Sequence, residues 1–290
     1  MEHPLEIQYG PVDGWLILLL MGGLSISFFL YQVVKATRLV MLGAPDNRFD
    51  SWGLRIKEMF VGWLGQKKVL RDKVAGTMHV LMFWGFLMLG SDMLDLASAN
   101  YFSENILPSF LNHPWNGIVE LGYTTALLGA LAALIRRVVF TPEKLKGKSQ
   151  FEGNFILVLI LTITSTSFII ESPDNPSSFW EPFGFWVSGL GLSSTFIIAS
   201  YWAHMVSICS FLILIPVSKH MHLVMAIPNV FFHDTQALGK MRPLAIGDDG
   251  KAVPLEDLDI DSFGVSTFDQ YTWRQIIDGW SCTSCARCQD

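Results

Sequence analysis

The chain has 290 residues, 51% of them hydrophobic and only 16% charged, where an ordinary soluble domain carries about 25% charge. A net charge of −6 and a mean hydropathy of +0.38 exclude a disordered chain and a nucleic-acid binder, because no surface remains for a basic stripe. Four cysteines, three of them in the last nine residues, exclude a disulfide scaffold.

Five segments are long and apolar enough to cross a bilayer: about 14–34, 74–97, 117–135, 151–170 and 196–217. Each is near the ~20 residues that ~30 Å of hydrocarbon requires. The first has neither a basic flank before it nor a small-residue cleavage site after it, so it reads as a span rather than a cleaved signal. All 20 Lys and Arg fall in three stretches: nine from Lys35 to Lys73, five from Arg136 to Lys148, six from Lys219 onward. Positive charge stays cytoplasmic, so the N-terminus is expected outside and the C-terminus inside. The fold expected is an all-α integral membrane protein, a five-helix transmembrane bundle with a cytoplasmic tail.

Two segments are neither span nor simple loop. Between 52 and 64, Trp52, Ile56, Met59, Phe60, Trp63 and Leu64 make one apolar stripe, with Arg55, Lys57 and Glu58 largely off it. This predicts an amphipathic helix on the cytoplasmic membrane surface, or one packed against a partner subunit. The membrane domain is expected over 1–235. An acidic linker at 236–270 follows, with Asp248, Asp249, Glu256, Asp257, Asp259 and Asp261. The stretch 271–290 opens with a short helix and ends in the cysteines.

Ionisable residues inside a membrane are costly and mark function. His79 lies about five residues, ~8 Å, inside the start of span two. His204 and His222 are 18 residues apart. On a helix continued past Val217 that is five turns, ~27 Å, so both point to one face, while His220 falls about 160° away. Two imidazoles facing each other across a helix pair suit a bis-histidine haem, one nitrogen on each side of the iron. Gly76, one turn before His79, would let the macrocycle approach the backbone. Arg71, Lys73 and Lys219 sit where propionates want cations, and are equally explained by the positive-inside charge. His204 fits a second haem, with His113 folding back as partner, or a quinone hydrogen bond. A lone membrane histidine also serves to join helices.

The chain ends Ser281-Cys282-Thr-Ser-Cys285-Ala-Arg-Cys288-Gln-Asp290. Cys-x2-Cys-x2-Cys opens a ferredoxin-type run, whose thiolates hold three irons of a [4Fe–4S] cluster. Zinc more often takes two separated Cys-x2-Cys pairs. Two residues short of the next expected cysteine the sequence stops, so the rest of the domain is expected on the same or a second chain. Cys209, mid-span, reads as a small buried residue.

These residues resemble a known family. Lys68-Val-Leu-Arg71-Asp-Lys-Val-Ala-Gly76-Thr-Met-His79, then Phe83-Trp-Gly-Phe, resembles span two of the respiratory nitrate reductase gamma subunit family. Tyr201-Trp-Ala-His204, then Phe211-Leu-Ile-Leu-Ile-Pro216-Val-Ser-Lys-His-Met-His222, resembles its span five. The resemblance implies a proximal haem b on His79 and His222, with His204 matching the span-five ligand of a distal haem. The matching distal position on span two is Leu89, a departure from the family. Fusion to a cysteine run is similar instead to membrane-bound heterodisulfide-reductase-like proteins, in particular the bacterial electron-transfer-flavoprotein:menaquinone oxidoreductases.

The function this implies is membrane electron transfer between a cytoplasmic iron–sulfur or flavoprotein donor and menaquinone, through one haem b or two. The expected location is the bacterial cytoplasmic membrane, multi-pass. Quinone reduction needs protons, and Asp92, Glu120 and His204 are the outer-side candidates for a quinone pocket. Two alternatives stand beside it: a quinol-oxidising subunit of a heterodisulfide or sulfur reductase, and a membrane anchor without a redox role.

Overall fold

A computed structural model describes residues 3–102, 112–143, 150–172, 176–235, 255–257 and 267–283, with backbone only at 91–102, 112–113 and 255. A two-residue hairpin, β1 (Gln8–Tyr9) and β2 (Val12–Asp13), pairs Gln8 with Asp13 and Tyr9 with Val12. Nine α-helices follow among the described residues. They are α1 (Gly14–Met41), α2 (Trp52–Met59), α3 (Lys73–Phe102), α4 (Asn112–Val138), α5 (Phe151–Ile170), α6 (Pro182–Ser188), α7 (Ser194–Leu214), α8 (His222–Phe231) and α9 (Trp273–Ser281). Five are long and apolar enough to cross a membrane: α1, α3, α4, α5 and α7. All five expected spans are present as helices, and α1 runs seven residues beyond its expected end.

The described residues form two compact units, 1–31 with 66–218, and 32–65 with those from 219 to 283. In the first unit α3, α4, α5 and α7 pack on one another. Their core is Ala130, Ile156, Leu157, Leu159, Ile160, Ile163 and Phe211, with Phe86 stacked on Phe211. The α1 residues of this unit take little part: Leu19, Leu20 and Leu24 are 57–72% exposed.

Small residues let α3 and α4 touch backbone to backbone. A Cβ on Gly85 would stand 2.7 Å from both the Gly122 carbonyl oxygen and Ala126 Cβ. One on Gly129 would stand 2.8 Å from the Met78 carbonyl. Without a hydrophobic drive between helices in lipid, such close packing supplies the association. In α5 the hydroxyls of Thr162, Thr164, Ser165, Thr166 and Ser167 each donate to the carbonyl four residues back, which satisfies them inside an apolar span.

In the second unit α2 continues as a π-helical turn, Phe60–Leu64. Trp52, Ile56 and Phe60 are 44–53% exposed, as the stripe requires for a lipid or protein surface. Arg55, off the stripe, is buried. It is 1% exposed, and its guanidinium donates to the carbonyls of Asp50, Phe231 and His233 and to the Asp50 carboxylate. Arg274 of α9 does the same from another direction. Its Nε donates to Phe232 O at 2.8 Å and its Nη2 to Asn229 O at 3.0 Å, while Nη1 pairs with Asp278. His233 Nδ1 donates to Val230 O. Every carbonyl from Asn229 to His233 thus accepts from a side chain. These are the groups that a helix C-terminus leaves without partners. A Thr272–Gln275 capping box starts α9. Ala44 bonds both Tyr271 and Trp273, which ties α9 to the segment after α1.

The seam and the clamp each make a prediction. Gly85→Ala should destabilise the protein by about 1–3 kcal/mol through overpacking, and Gly23→Ala, which meets nothing within 4 Å, should not. Thermal unfolding in detergent compares the two. Arg55→Ala leaves carbonyls unsatisfied at about 1–3 kcal/mol each, and faster proteolysis of the 219–283 segment is the readout. Arg55 also holds the Asp50 carboxyl below its ordinary value of 3.8. The bond's stabilisation is therefore full above that value and is lost as pH falls through the lowered one.

Candidate cofactor site

His79 stands in the first unit and His222 in the second, and each is taken in its own unit. On α3, His79 is half-buried and lies six residues before Gly85, about 120° around the helix from the closed α4 seam. Gly76 is buried against the turn before α3. A Cβ there would collide with the Val69 carbonyl oxygen and come within 3.0 Å of Leu70 Cα. This glycine lets the 3-10 turn Val69–Arg71 fold back on the first turn of α3. Arg71 and Lys73 are exposed at that turn, and Asp72 accepts from Ala75 N at 3.1 Å.

The continued helix expected after Val217 is not formed. Pro216 sits in a 3-10 turn, Ser218 is extended (φ −125°, ψ 176°), and a second 3-10 turn, Lys219–Met221, precedes α8. Proline disfavours the continuing helix, and the break removes the five-turn relation between His204 and His222. It also brings the His220 and His222 rings to 5.8 Å, where the periodicity set them on opposite faces. His222 is the first residue of α8. Its Nδ1 lies 2.9 Å from the Lys219 carbonyl oxygen. A carbonyl only accepts, so Nδ1 carries the hydrogen and Nε2 holds the basic lone pair. Burial pushes His222 below the ordinary imidazole range, and the bond to Lys219 offsets this only partly. A neutral imidazole with its second nitrogen fixed by a carbonyl is the usual form of a metal ligand.

His204 is held the same way inside the first unit. Its Nδ1 lies 3.1 Å from Ile163 O and 2.9 Å from Thr166 Oγ1, both on α5. The Thr166 hydroxyl already donates to Thr162 O, so it accepts from the ring. Here too Nε2 is left as the basic nitrogen. Leu89 packs beside Val119, Tyr123 and Phe168 and offers no lone pair, so the donor set does not fit a second haem of the family type. The His113 and Asp92 side chains lie outside the described residues.

Glu120 is 5% exposed, and its two oxygens accept from Phe183 N at 2.8 Å and Gly184 N at 2.9 Å. It caps the first turn of α6. Around that helix Phe179, Trp180, Phe183 and Trp186 are 42–78% exposed, as aromatic residues at a membrane interface are. Cys209 is buried and Cys282 is exposed at the end of α9. Cys285 and Cys288 lie outside the described residues. Sequence reading missed Thr166, the Lys219 carbonyl and the two clamping arginines. The hydroxyl run in α5 was the available signal for the first of these.

These features define a helical chain with five membrane-length helices, two oriented histidines and a terminal cysteine run. Neither a family model nor a solved structure matches it. Two curated proteins are similar. The probable iron-sulfur-binding oxidoreductase FadF of Bacillus subtilis is 26% identical over 286 residues, covering 94% of this chain and 39% of that protein. EtfAB:quinone oxidoreductase of Syntrophomonas wolfei is 27% identical over 325 residues, covering 99% of this chain and 43% of that protein. The chain spans about two fifths of the length of both relatives, and both are oxidoreductases by name.

Glu120→Ala should release α6, since the buried Gly184 amide loses its acceptor at about 1–3 kcal/mol and the half-buried Phe183 amide loses its own as well. Hydrogen exchange of residues 182–188 should then accelerate, with Glu120→Gln, which keeps one acceptor oxygen, in between.

Proposed function

We propose that this chain is the membrane electron-transfer part of an oxidoreductase. Electrons pass between a cytoplasmic iron–sulfur and flavoprotein donor and menaquinone, with one haem b held by His79 and His222. The observation that carries the reading is similarity along nearly the whole chain to two named oxidoreductases, one iron–sulfur-binding and one acting between EtfAB and a quinone. The donor would be an electron-transfer flavoprotein, and the clustering of Lys and Arg favours a cytoplasmic C-terminus.

The donor chemistry fits. His222 is oriented through Nδ1, which leaves Nε2 as the basic nitrogen. Cys282 opens a run spaced for a [4Fe–4S] cluster, with Cys285 and Cys288 as its further thiolates. When bound, the two groups supply one-electron chemistry, and the protein sets potential, distance and proton access. Lys219 contributes its carbonyl, which fixes the His222 tautomer, and its ammonium joins Arg71 and Lys73 as a partner for propionates. His204 is assigned to the quinone. With its hydrogen held at Nδ1 by Ile163 and Thr166, it presents Nε2 to accept a quinol hydroxyl hydrogen.

A pyridine haemochrome assay with an iron count on the full-length protein tests this. One haem b per chain is expected. His79→Ala and His222→Ala should each bring it near zero, and Cys282→Ser should remove the cluster signal while the haem stays. Full haem in both histidine variants would refute the pairing.

A further inference from the structure

Within the second unit, α2 and the end of α8 are joined twice, and the two joints respond differently to pH. Arg55 of α2 donates to the carbonyls of Phe231 and His233. A guanidinium keeps its charge in proteins, so this joint does not titrate. One turn further along α2, Glu58 pairs with Nε2 of His233. Nδ1 of the same ring lies 2.6 Å from the Val230 carbonyl oxygen. Carbonyl and carboxylate oxygens only accept, so a ring that bonds both needs a hydrogen on each nitrogen. The junction therefore holds one proton more than a neutral imidazole beside a carboxylate. Histidine changes charge between about pH 5 and 8.

The other charges around this junction have partners of their own. Arg55 is bonded to Asp50, Arg274 to Asp278, and Arg48 to Asp46 and to Asp234, the residue after His233. Lys57, beside Glu58, is exposed. Lys219, His220 and His222 stand at the opposite end of α8, eleven to fourteen residues before His233. The Glu58 bond holds the second half of α2, which runs into the π-helical turn Phe60–Leu64. Gly65 N closes that turn on Phe60 O at 3.0 Å. Such turns are rare and gather at functional places. Gly62 seats the turn on α8, since a Cβ there would stand 3.3 Å from Val230 Cγ1. The His233 ring and the turn thus both lean on Val230.

We propose that His233 and Glu58 form a proton-operated latch on the second half of α2. With its proton, the junction makes both bonds and holds residues 58–64 on α8. Without it, a lone pair on Nε2 faces a carboxylate, two acceptors with no hydrogen between them, and the segment is released. Arg55 keeps the first half of α2 in place in both states. The stability that the latch contributes is present at acidic pH and is lost as pH rises through the imidazole titration. This is opposite in sign to the Arg55–Asp50 bond.

Hydrogen exchange of the full-length protein at about pH 6 and 8.5, corrected for intrinsic amide rates, tests the latch. Residues 58–64 of the parent should open roughly tenfold more readily at the higher pH, because loss of one bound proton shifts an equilibrium by up to about tenfold per pH unit. The α9 helix, held to α8 through Arg274, should not change. His233→Gln removes the titrating ring, so the segment should be equally open at both pH values. Glu58→Gln can accept from the charged ring or donate to the neutral one, so it should keep the segment closed at both. A parent with the same protection at both pH values would overturn the latch. So would a pH response that survives either substitution, or one that α9 shares equally.

Discussion

A helix end leaves its last carbonyls without intrahelical donors, and from Asn229 at the end of α8 to His233 beyond it five carbonyls in a row accept from side chains. Two guanidiniums and one imidazole close them. Bonds from charged donors to carbonyls are each worth about 1.5–3 kcal/mol, and the positive charges also oppose the negative end of the helix dipole. The consequence is architectural. Arg55 belongs to α2 and Arg274 to α9, so satisfying one helix end fastens two other helices to it. The His222 turn at the start of α8 and Cys282 at the end of α9 both adjoin helices held by that clamp.

The first unit solves a different problem by different means. Its helices have no water to expel, so α3 and α4 gain association by bringing Gly85 and Gly122 into backbone contact. Closing that face leaves His79 on another side of α3. Its polar groups are answered locally, with α5 hydroxyls turned to their own carbonyls and Glu120 turned to the α6 amides. Thr166 also reaches across, to the ring of His204, as Arg137 of α4 does to Asn154 of α5.

The spans were legible because hydropathy over twenty residues is a strong signal, and the stripe from Trp52 to Leu64 because it repeats at helical spacing. The break between α7 and α8 was harder to read. Apolar residues run on from Leu214 past Met221, so composition favours one helix, while Pro216 and the extended Ser218 end it. Angular arithmetic across that break therefore set His204 and His222 on one face without warrant. Arg55 was placed off the apolar stripe, and its burial was not legible for a related reason. Helical periodicity reports which face is apolar, and a guanidinium buried by four hydrogen bonds at a helix end is invisible to it. Leu89 was legible as a missing ligand from identity alone, and its packing against Val119, Tyr123 and Phe168 agrees.

The central claim is that electrons pass between a quinone and an iron coordinated by His222. The most direct measurement adds a menaquinol analogue to the oxidised, full-length protein under anaerobic conditions and follows the haem α-band. The account predicts that the band of reduced haem b grows in the parent and that no such band forms in His222→Ala. A parent that holds haem and leaves its spectrum unchanged under excess quinol would contradict it.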